Sequence, residues 1–335
     1  MEASDHNPGF AGRLAVVTGG GSGIGRELVR QLAAEGCSVA ACDWNAESVA
    51  DAASSAQAGA RGRVLVTHYA CDVSDETQVE RFRDELLHRH AVEHVDLVFS
   101  NAGIGGGASF IRSSREEWER TFAVDWWGVY YVARAFMPLL IASGDGVLVN
   151  TSSVNGLWAS LGPGMPNNAY ATAKFAIRGF TEALIEDLRT NAPQVRVAVV
   201  IPGHVGTDII ANTRRAHGMP AAHDLSDAEV EEHIPPDVRS ALVAAGLLAE
   251  GASADDVRAW LAKMESDFRD KAPVTAAEAA TIILDGVRSG AWRILIGEGA
   301  KQLDEAVRAY PELAYDYAEL AKRVVPPEAL TPEPS

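Results

Sequence analysis

Short apolar runs alternate with longer amphipathic stretches along most of this chain. The runs are Leu14–Thr18, Ser38–Cys42, Val64–Tyr69, Leu97–Ser100, Val147–Thr151, Val195–Ile201 and Arg293–Ile296. Most are continuously apolar rather than alternating, as expected of strands covered on both faces. Between them, apolar residues recur at helical spacing over Ile24–Glu35, Asn45–Ala58, Glu76–His90, Arg115–Ala142, Ala169–Asn191 and Thr275–Ser289. Strand followed by helix, repeated, predicts an α/β fold with right-handed crossovers: a doubly wound, seven-stranded parallel sheet with helices on both faces. No internal repeat or linker divides the chain, so residues 1–335 are expected to form a single domain.

Two regions depart from this rhythm. The stretch 208–273 holds no strand pattern and predicts helices at Asp227–His233, Pro236–Glu250 and Ser253–Asp270. Ser253 is an N-cap residue for the last of these, with Asp255 and Asp256 in its first turn. The tail, 298–335, predicts one or two helices within Lys301–Arg323 and then a Pro-rich, frayed end at Pro326–Ser335.

Composition narrows the range of partners. The formal charge of −17 would be repelled by nucleic acid and by an anionic membrane, which leaves a small molecule as the expected partner. Cys37, Cys42 and Cys71 cannot all pair, match no zinc spacing, and are expected to be reduced and structural. Met1–Gly9 lacks the apolar core of a signal peptide, and no window approaches 18 uninterrupted apolar residues. A cytoplasmic location is the expectation.

The first chemistry appears where the first strand meets its helix, at Thr18-Gly19-Gly20-Gly21-Ser22-Gly23-Ile24-Gly25. Glycine there allows a tight turn and a close backbone approach to a pyrophosphate, and the helix that follows points free N–H groups at it. The candidate contacts are Gly19, Ser22, Gly23, Ile24 and Gly25. Asp43 ends the second strand about 20 residues beyond the turn, where a carboxylate accepts hydrogen bonds from the ribose hydroxyls of NAD. A 2′-phosphate would meet like charge there. Ser22, Trp44 and Asn45 hold the nearby positions where a neutralising cation could stand in sequence. Asp43 could alternatively cap the next helix. Asp72-Val73 and Asn101-Ala102-Gly103 follow the third and fourth strands, on the sheet edge where ligands bind in open α/β folds. Separately, these read equally as a helix cap and an ordinary turn.

A second group of residues carries reaction chemistry. Tyr170 and Lys174 stand four apart on a predicted helix, so phenol and ammonium share a face. A free phenol has a pKa near ~10. A fixed cation beside it, together with oxidised nicotinamide, should lower that value and let Tyr170 take or give a proton. Thr151-Ser152-Ser153 ends the fifth strand and Pro202-Gly203-His204-Val205-Gly206-Thr207 the sixth, both on the same edge. Pro202, Gly203, Val205 and Thr207 are candidates to fix the nicotinamide.

Taken in order, these motifs resemble the short-chain dehydrogenase/reductase family, from about Gly12 to Gly297 with 208–273 lying outside the match. The resemblance implies that Ser153 orients the substrate oxygen, Tyr170 is the acid/base, and Lys174 binds the nicotinamide ribose. Ser153 is favoured over Ser152 because it directly precedes Val154-Asn155-Gly156. Three departures stand out. Asp125 occupies the place where the family has an asparagine that holds a relay water. The interval from Ser153 to Tyr170 is long, filled by residues 161–166. The stretch 208–273 is far larger than the family's usual substrate lid.

The expectation is therefore an NAD(H)-dependent oxidoreductase, homo-oligomeric, interconverting a bulky hydrophobic secondary alcohol and its ketone. Apolar stripes in the lid (Ile209, Ile210, Leu242, Val243, Leu247, Leu248, Trp260, Leu261) suit such a substrate, or simply hold the lid together. A 3-oxoacyl-thioester reductase and a non-catalytic dinucleotide-binding scaffold are the alternatives. His204, His217, His223 and His233 are expected to be surface residues, with no metal bound. Trp126 and Trp127 are expected to pack helices rather than touch substrate.

Overall fold

All seven apolar runs form strands of one parallel sheet in the computed structural model, which describes residues 9–162, 165–244 and 246–324. In chain order the elements begin β1 (Leu14–Thr18), α1 (Gly23–Ala34), β2 (Ser38–Asp43), α2 (Ala46–Ala58), β3 (Val66–Ala70), α3 (Glu76–His90) and β4 (Leu97–Ser100). Then come α4 (Arg115–Phe122), α5 (Gly128–Ser143), β5 (Gly146–Thr151), α6 (Asn168–Asn191), β6 (Val195–Pro202) and β7 (Val205–Gly206). The lid region holds α7 (Ile209–Ala216), α8 (Asp227–His233), α9 (Pro236–Ala244) and α10 (Ala254–Asp270). The chain continues through β8 (Val274–Thr275), α11 (Ala276–Arg288), β9 (Arg293–Ile296), α12 (Glu298–Ala309) and α13 (Tyr317–Val324). The N-terminal segment to Pro8, Pro163, Gly164 and the Pro-rich tail lie outside the described residues.

The sheet order is β3-β2-β1-β4-β5-β6-β9. The chain starts in the middle, winds outward to β3, then crosses back to β4, so the order reverses between β1 and β4. That reversal opens a crevice at the carboxyl ends of these strands, where an α/β sheet of this kind binds ligands. Residues such as Val17, Val39, Phe99, Val149 and Val200 face one apolar core with Leu28 of α1 and Ile283 of α11. Val16, Ala40, Val98 and Leu148 face a second with Phe82 of α3, Phe136 of α5 and Leu188 of α6. Burial on both sides accounts for the unbroken apolar runs.

The structure departs from the periodicity at a few places. The stretch expected as one helix from Arg115 to Ala142 is interrupted by a π-helical turn at Ala123–Trp127, which holds Asp125 fully buried. Helical spacing holds on either side of so short a turn, so the two flanking segments read as one helix in the sequence. The helix expected over Pro236–Glu250 ends at Ala244, because Gly246 takes a left-handed φ of 71°. Helix α7 was not expected. None of its residues is fully buried, so it shows no core-facing stripe. β7 and β8 pair in parallel, Val205 with Val274 and Gly206 with Thr275, and tie the two ends of the lid together.

Candidate active site

The glycine turn is shaped by what presses on it. Gly19 has φ 66°, and a Cβ there would lie 2.9 Å from the Ala102 Cα. A Cβ on Gly25 would come within 2.1 Å of the Gly19 carbonyl oxygen, so Gly25 serves the packing of α1 against the turn. Ser22 precedes α1 without capping it by its side chain, which leaves the first-turn N–H groups facing the crevice. Thr18 Oγ1 accepts from the amides of Asn101 (3.0 Å) and Ala102 (3.1 Å), and Asn101 Nδ2 donates to the Thr18 carbonyl at 3.2 Å. Asn101 thus joins β4 to the turn through its side chain.

Asp43 is 8% exposed. Its carboxylate accepts from the Gly21 amide and the Asn45 amide, both at 3.0 Å. Burial raises its pKa; the Asn45, Gly21 and Trp44 amides and the charge of Arg215 oppose that rise. The cap of α2 is Asn45, which accepts from Ser48 at 3.1 Å, so Asp43 is left to the crevice. Arg215, on α7 and far away in sequence, acts on Asp43 through its charge and lines the same cleft. Asp72 likewise does not cap α3, whose N-cap is Asp75. It pairs with Arg120 at 2.9 Å and accepts from Ser74 at 2.7 Å. Burial works against its charge, but these partners hold its carboxyl below the usual range.

On the other side of the crevice, α6 brings Tyr170 and Lys174 to the end of β5. Ser152 is spent on structure: its Oγ donates to the Lys174 carbonyl at 2.7 Å. Ser153 Oγ accepts from the Asn155 amide at 3.1 Å, lines the cleft, and favours the ionised form of the Tyr170 phenol. Lys174 Nζ lies 5.2 Å from the Tyr170 ring centroid and 3.4 Å from the Thr151 carbonyl oxygen. Behind it, Asp125 Oδ2 stands 3.4 Å from Nζ while Oδ1 accepts from the Ile104 amide at 2.8 Å. Burial penalises the ammonium charge of Lys174, but Asp125 and the phenol offset it and hold the group protonated above its ordinary range.

The expected lowering of the Tyr170 pKa is met only in one contribution. Burial raises it most, Lys174 lowers it, the Asp125 carboxylate raises it again, and Ser153 lowers it; the sum lies above a free phenol. Sequence spacing showed the cation but neither the depth of the site nor the buried anion behind the lysine.

One cleft of about 960 Å³ joins these parts. It is lined by Gly19, Ser22, Gly23, Ile24, Asp43, Asp72, Val73, Asn101, Ala102, Gly103, Ser153, Tyr170, Lys174, Pro202, Gly203, Val205 and Thr207. Of the expected site residues, only Gly25 and Asp125 stand behind its wall. Its apolar lining includes Ile104, Val154, Leu161, Met165, Met264 and Phe268. Ile209 and Ile210 of the lid also face the cleft, whereas Leu242, Leu248, Trp260 and Leu261 pack into a small core of the lid's own. The two readings of the apolar stripes therefore apply to different residues.

Sequence reasoning missed the polar latches of the lid. Asn212 Nδ2 donates to Ser22 Oγ at 3.0 Å, and Thr213 Oγ1 accepts from the Gly105 amide at 2.7 Å. His204 Nε2 lies 2.7 Å from the Phe268 carbonyl, with the two rings 4.3 Å apart. His217 Nε2 lies 3.1 Å from the Gly105 carbonyl. His204 is exposed, as expected of a surface residue, and His217 is half-buried; both nonetheless tie the lid to its surroundings. Trp126 packs on Phe180 with ring centroids 5.6 Å apart, Trp127 stacks on Tyr131, and neither lines the cleft.

Residues 13–218 match the family described as short chain dehydrogenase. The chain belongs to that family. Over 210 residues it is 38% identical to a Mycobacterium tuberculosis protein named as an oxidoreductase, SadH, covering 62% of this chain and 72% of that one. Meso-2,3-butanediol dehydrogenase of Serratia marcescens is 29% identical over 81% of this chain and 96% of its own. Among solved structures, a Burkholderia phymatum family member in complex with NAD superposes with a TM-score of 0.68 at 26% identity, over 95% of this chain and 98% of that one. Similar structures include complexes with NADP as well as with NAD. The fold, the oxidoreductase class and a nicotinamide dinucleotide as cofactor follow from membership. Among the described residues no helix is long and apolar enough to cross a membrane.

Proposed function

We propose that this family member is an NAD-dependent dehydrogenase that interconverts a bulky, apolar secondary alcohol and its ketone, with residues 1–335 acting as one domain. The observation that carries the reading is the meeting of Ser153, Tyr170 and Lys174 in one cleft whose lining also holds the glycine turn and a set of apolar side chains. The cradle fits the cofactor: the turn leaves room only for backbone at Gly19, and Asp43 offers a buried acceptor held by two amides. Asp43, Asp72, Gly103, Thr207 and the α1 amides would hold NAD, which when bound supplies the carbon that accepts the hydride.

Ser153 donates to the substrate oxygen and holds it beside Tyr170. As the carbon–hydrogen bond breaks, Tyr170 Oη takes the hydroxyl proton, and the carbonyl forms. In reduction the same proton returns to the oxygen. Lys174 counters the phenolate charge, and Asp125 keeps Lys174 charged and in place. The lid and the apolar wall exclude water from the reacting carbon. Self-association through α5 and the π-helical turn before it is part of the same reading, since Trp127, the last residue of that turn, is 42% exposed; sedimentation of the purified chain checks it.

Tyr170→Phe tests the chemistry. Turnover of NAD with 1-phenylethanol or a similar alcohol should fall by about 10²- to 10⁴-fold, while the NAD dissociation constant stays within a small factor. Near-full activity in this variant would move the acid/base role to another group. A wild-type protein that binds NAD but turns over no alcohol in a broad panel would favour a scaffold.

A further inference from the structure

The chain beyond β9 takes no part in the proposed chemistry, yet it is built into the substrate side of the cleft. Helix α12 is fixed to β9 by Asp304, which receives both Arg293 and Arg308 and is itself 6% exposed. From that anchor the chain passes through a short 3₁₀ turn at Pro311–Leu313 and meets the loop that follows Ser153. Trp158 Nε1 donates to the Ala314 carbonyl at 2.5 Å. The Tyr315 hydroxyl accepts from the Ala159 amide at 3.2 Å, and the Tyr317 hydroxyl lies 3.0 Å from Ser160 Oγ. The Trp158 and Tyr317 rings meet edge to face at 5.8 Å.

Three consecutive residues of the loop are therefore held by three of the four residues from Ala314 to Tyr317. Ser160 also bridges to Pro166, and Leu161 and Met165 line the cleft. Those two side chains are 54% and 51% exposed, so their own packing does not hold them. Loops gain a defined conformation from backbone hydrogen bonds and buried contacts, and without these they sample many. Here such contacts are made across more than 150 residues of sequence.

We propose that Ala314–Tyr317 is a strap that fixes the Trp158–Leu161 side of the substrate mouth, and that Tyr317 is a specificity-determining positioning residue for bulky apolar alcohols. It acts through Trp158 and Ser160, without touching the substrate. The proposal rests on the dehydrogenase reading for its kinetic arm and on the fold alone for its structural arm.

Two variants of the full chain test it: Tyr317→Phe, which keeps the ring and removes the hydroxyl, and Tyr317→Ala, which removes both. Hydrogen exchange at the amides of Trp158–Leu161 should quicken in both, more in the alanine variant. With 1-(2-naphthyl)ethanol as probe, KM should rise about threefold in the phenylalanine variant and about tenfold or more in the alanine variant. The kcat with 2-butanol and the NAD dissociation constant should stay within twofold. Unchanged exchange at the loop would overturn the strap whether or not the protein turns over alcohols. Faster exchange with an unchanged naphthyl KM would overturn the specificity role. Should wild type oxidise neither alcohol, the dehydrogenase reading fails, and the exchange experiment still decides whether the strap exists.

Discussion

At the scale of single residues, the site is governed by charges placed where water is scarce. Asp43 lines the cleft with its oxygens engaged by backbone amides; under the proposed function it meets the ribose, where a 2′-phosphate would be repelled. Arg215, brought over by α7, is the nearby group that could offset this repulsion. The expected outcome is a preference for NAD in kcat/KM. In Asp43→Ala that preference should narrow by ~10-fold or more, and Arg215→Ala in the native background should widen it. A native enzyme at least as efficient with NADP would contradict the cofactor assignment. Asp125 makes a second prediction. Its carboxylate raises the pKa of Tyr170, so the phenolate form needed for oxidation is reached only at higher pH. Removing that charge in Asp125→Asn lowers the pKa of the phenol. The rising limb of the pH profile for alcohol oxidation should therefore move toward lower pH, and the falling limb for ketone reduction with it. A profile that does not move would limit Asp125 to a structural role. None of these couplings is legible from sequence. The motifs name Asp43, Tyr170 and Lys174, whereas Arg215 and the ion pair at 3.4 Å behind Lys174 are set by which helices the fold brings together.

At the scale of elements, the strands and the long helices were readable because each buries a continuous face. The spacing over Glu76–His90 gave α3 to the residue, and β1, β4 and β9 agree at both ends. The lid was read less well. Its helices α8 and α10 carry Ser caps with acidic partners three residues on, a local signal that survives without context. Helix α7 has no such signal and is held by latches to Ser22 and Gly105. The family match extends to residue 218, so α7 belongs to the shared part, and the enlargement is the portion beyond it. Helix α10 then returns to the cleft, where Met264 and Phe268 form part of the apolar wall and His204 pins its end. Phe268→Ala should remove buried contact with a large substrate. KM for a naphthyl alcohol is expected to rise about tenfold or more, with the NAD dissociation constant unaffected. A rise in the NAD constant instead would place Phe268 at the nicotinamide.

At the scale of the whole molecule, one parallel sheet and two apolar cores position everything else, and the C-terminal extension is joined to them by an ion-pair cluster as well as by the contacts of the strap. Asp304 is nearly buried and holds Arg293 on β9 together with Arg308 on its own helix. Taking away the carboxylate leaves Arg293, itself little exposed, without its partner. Asp304→Ala is expected to cost about 3 kcal/mol, the low side for buried pairs because Arg308 is half-exposed. Urea unfolding followed by circular dichroism measures it, and a loss below half a kcal/mol would mean the extension is docked by other contacts. The sequence by itself determined the sheet, its helices, and the residue types at the carboxyl ends of the strands, because strand burial, helical spacing and glycine turns act within a few residues. Tertiary structure decided the sign of the Tyr170 shift, the cation beside Asp43, the division of the lid's apolar residues between wall and core, and the reach of Tyr317 to Ser160. Each of these depends on burial or on contact between groups far apart along the chain, and neither can be computed from local pattern.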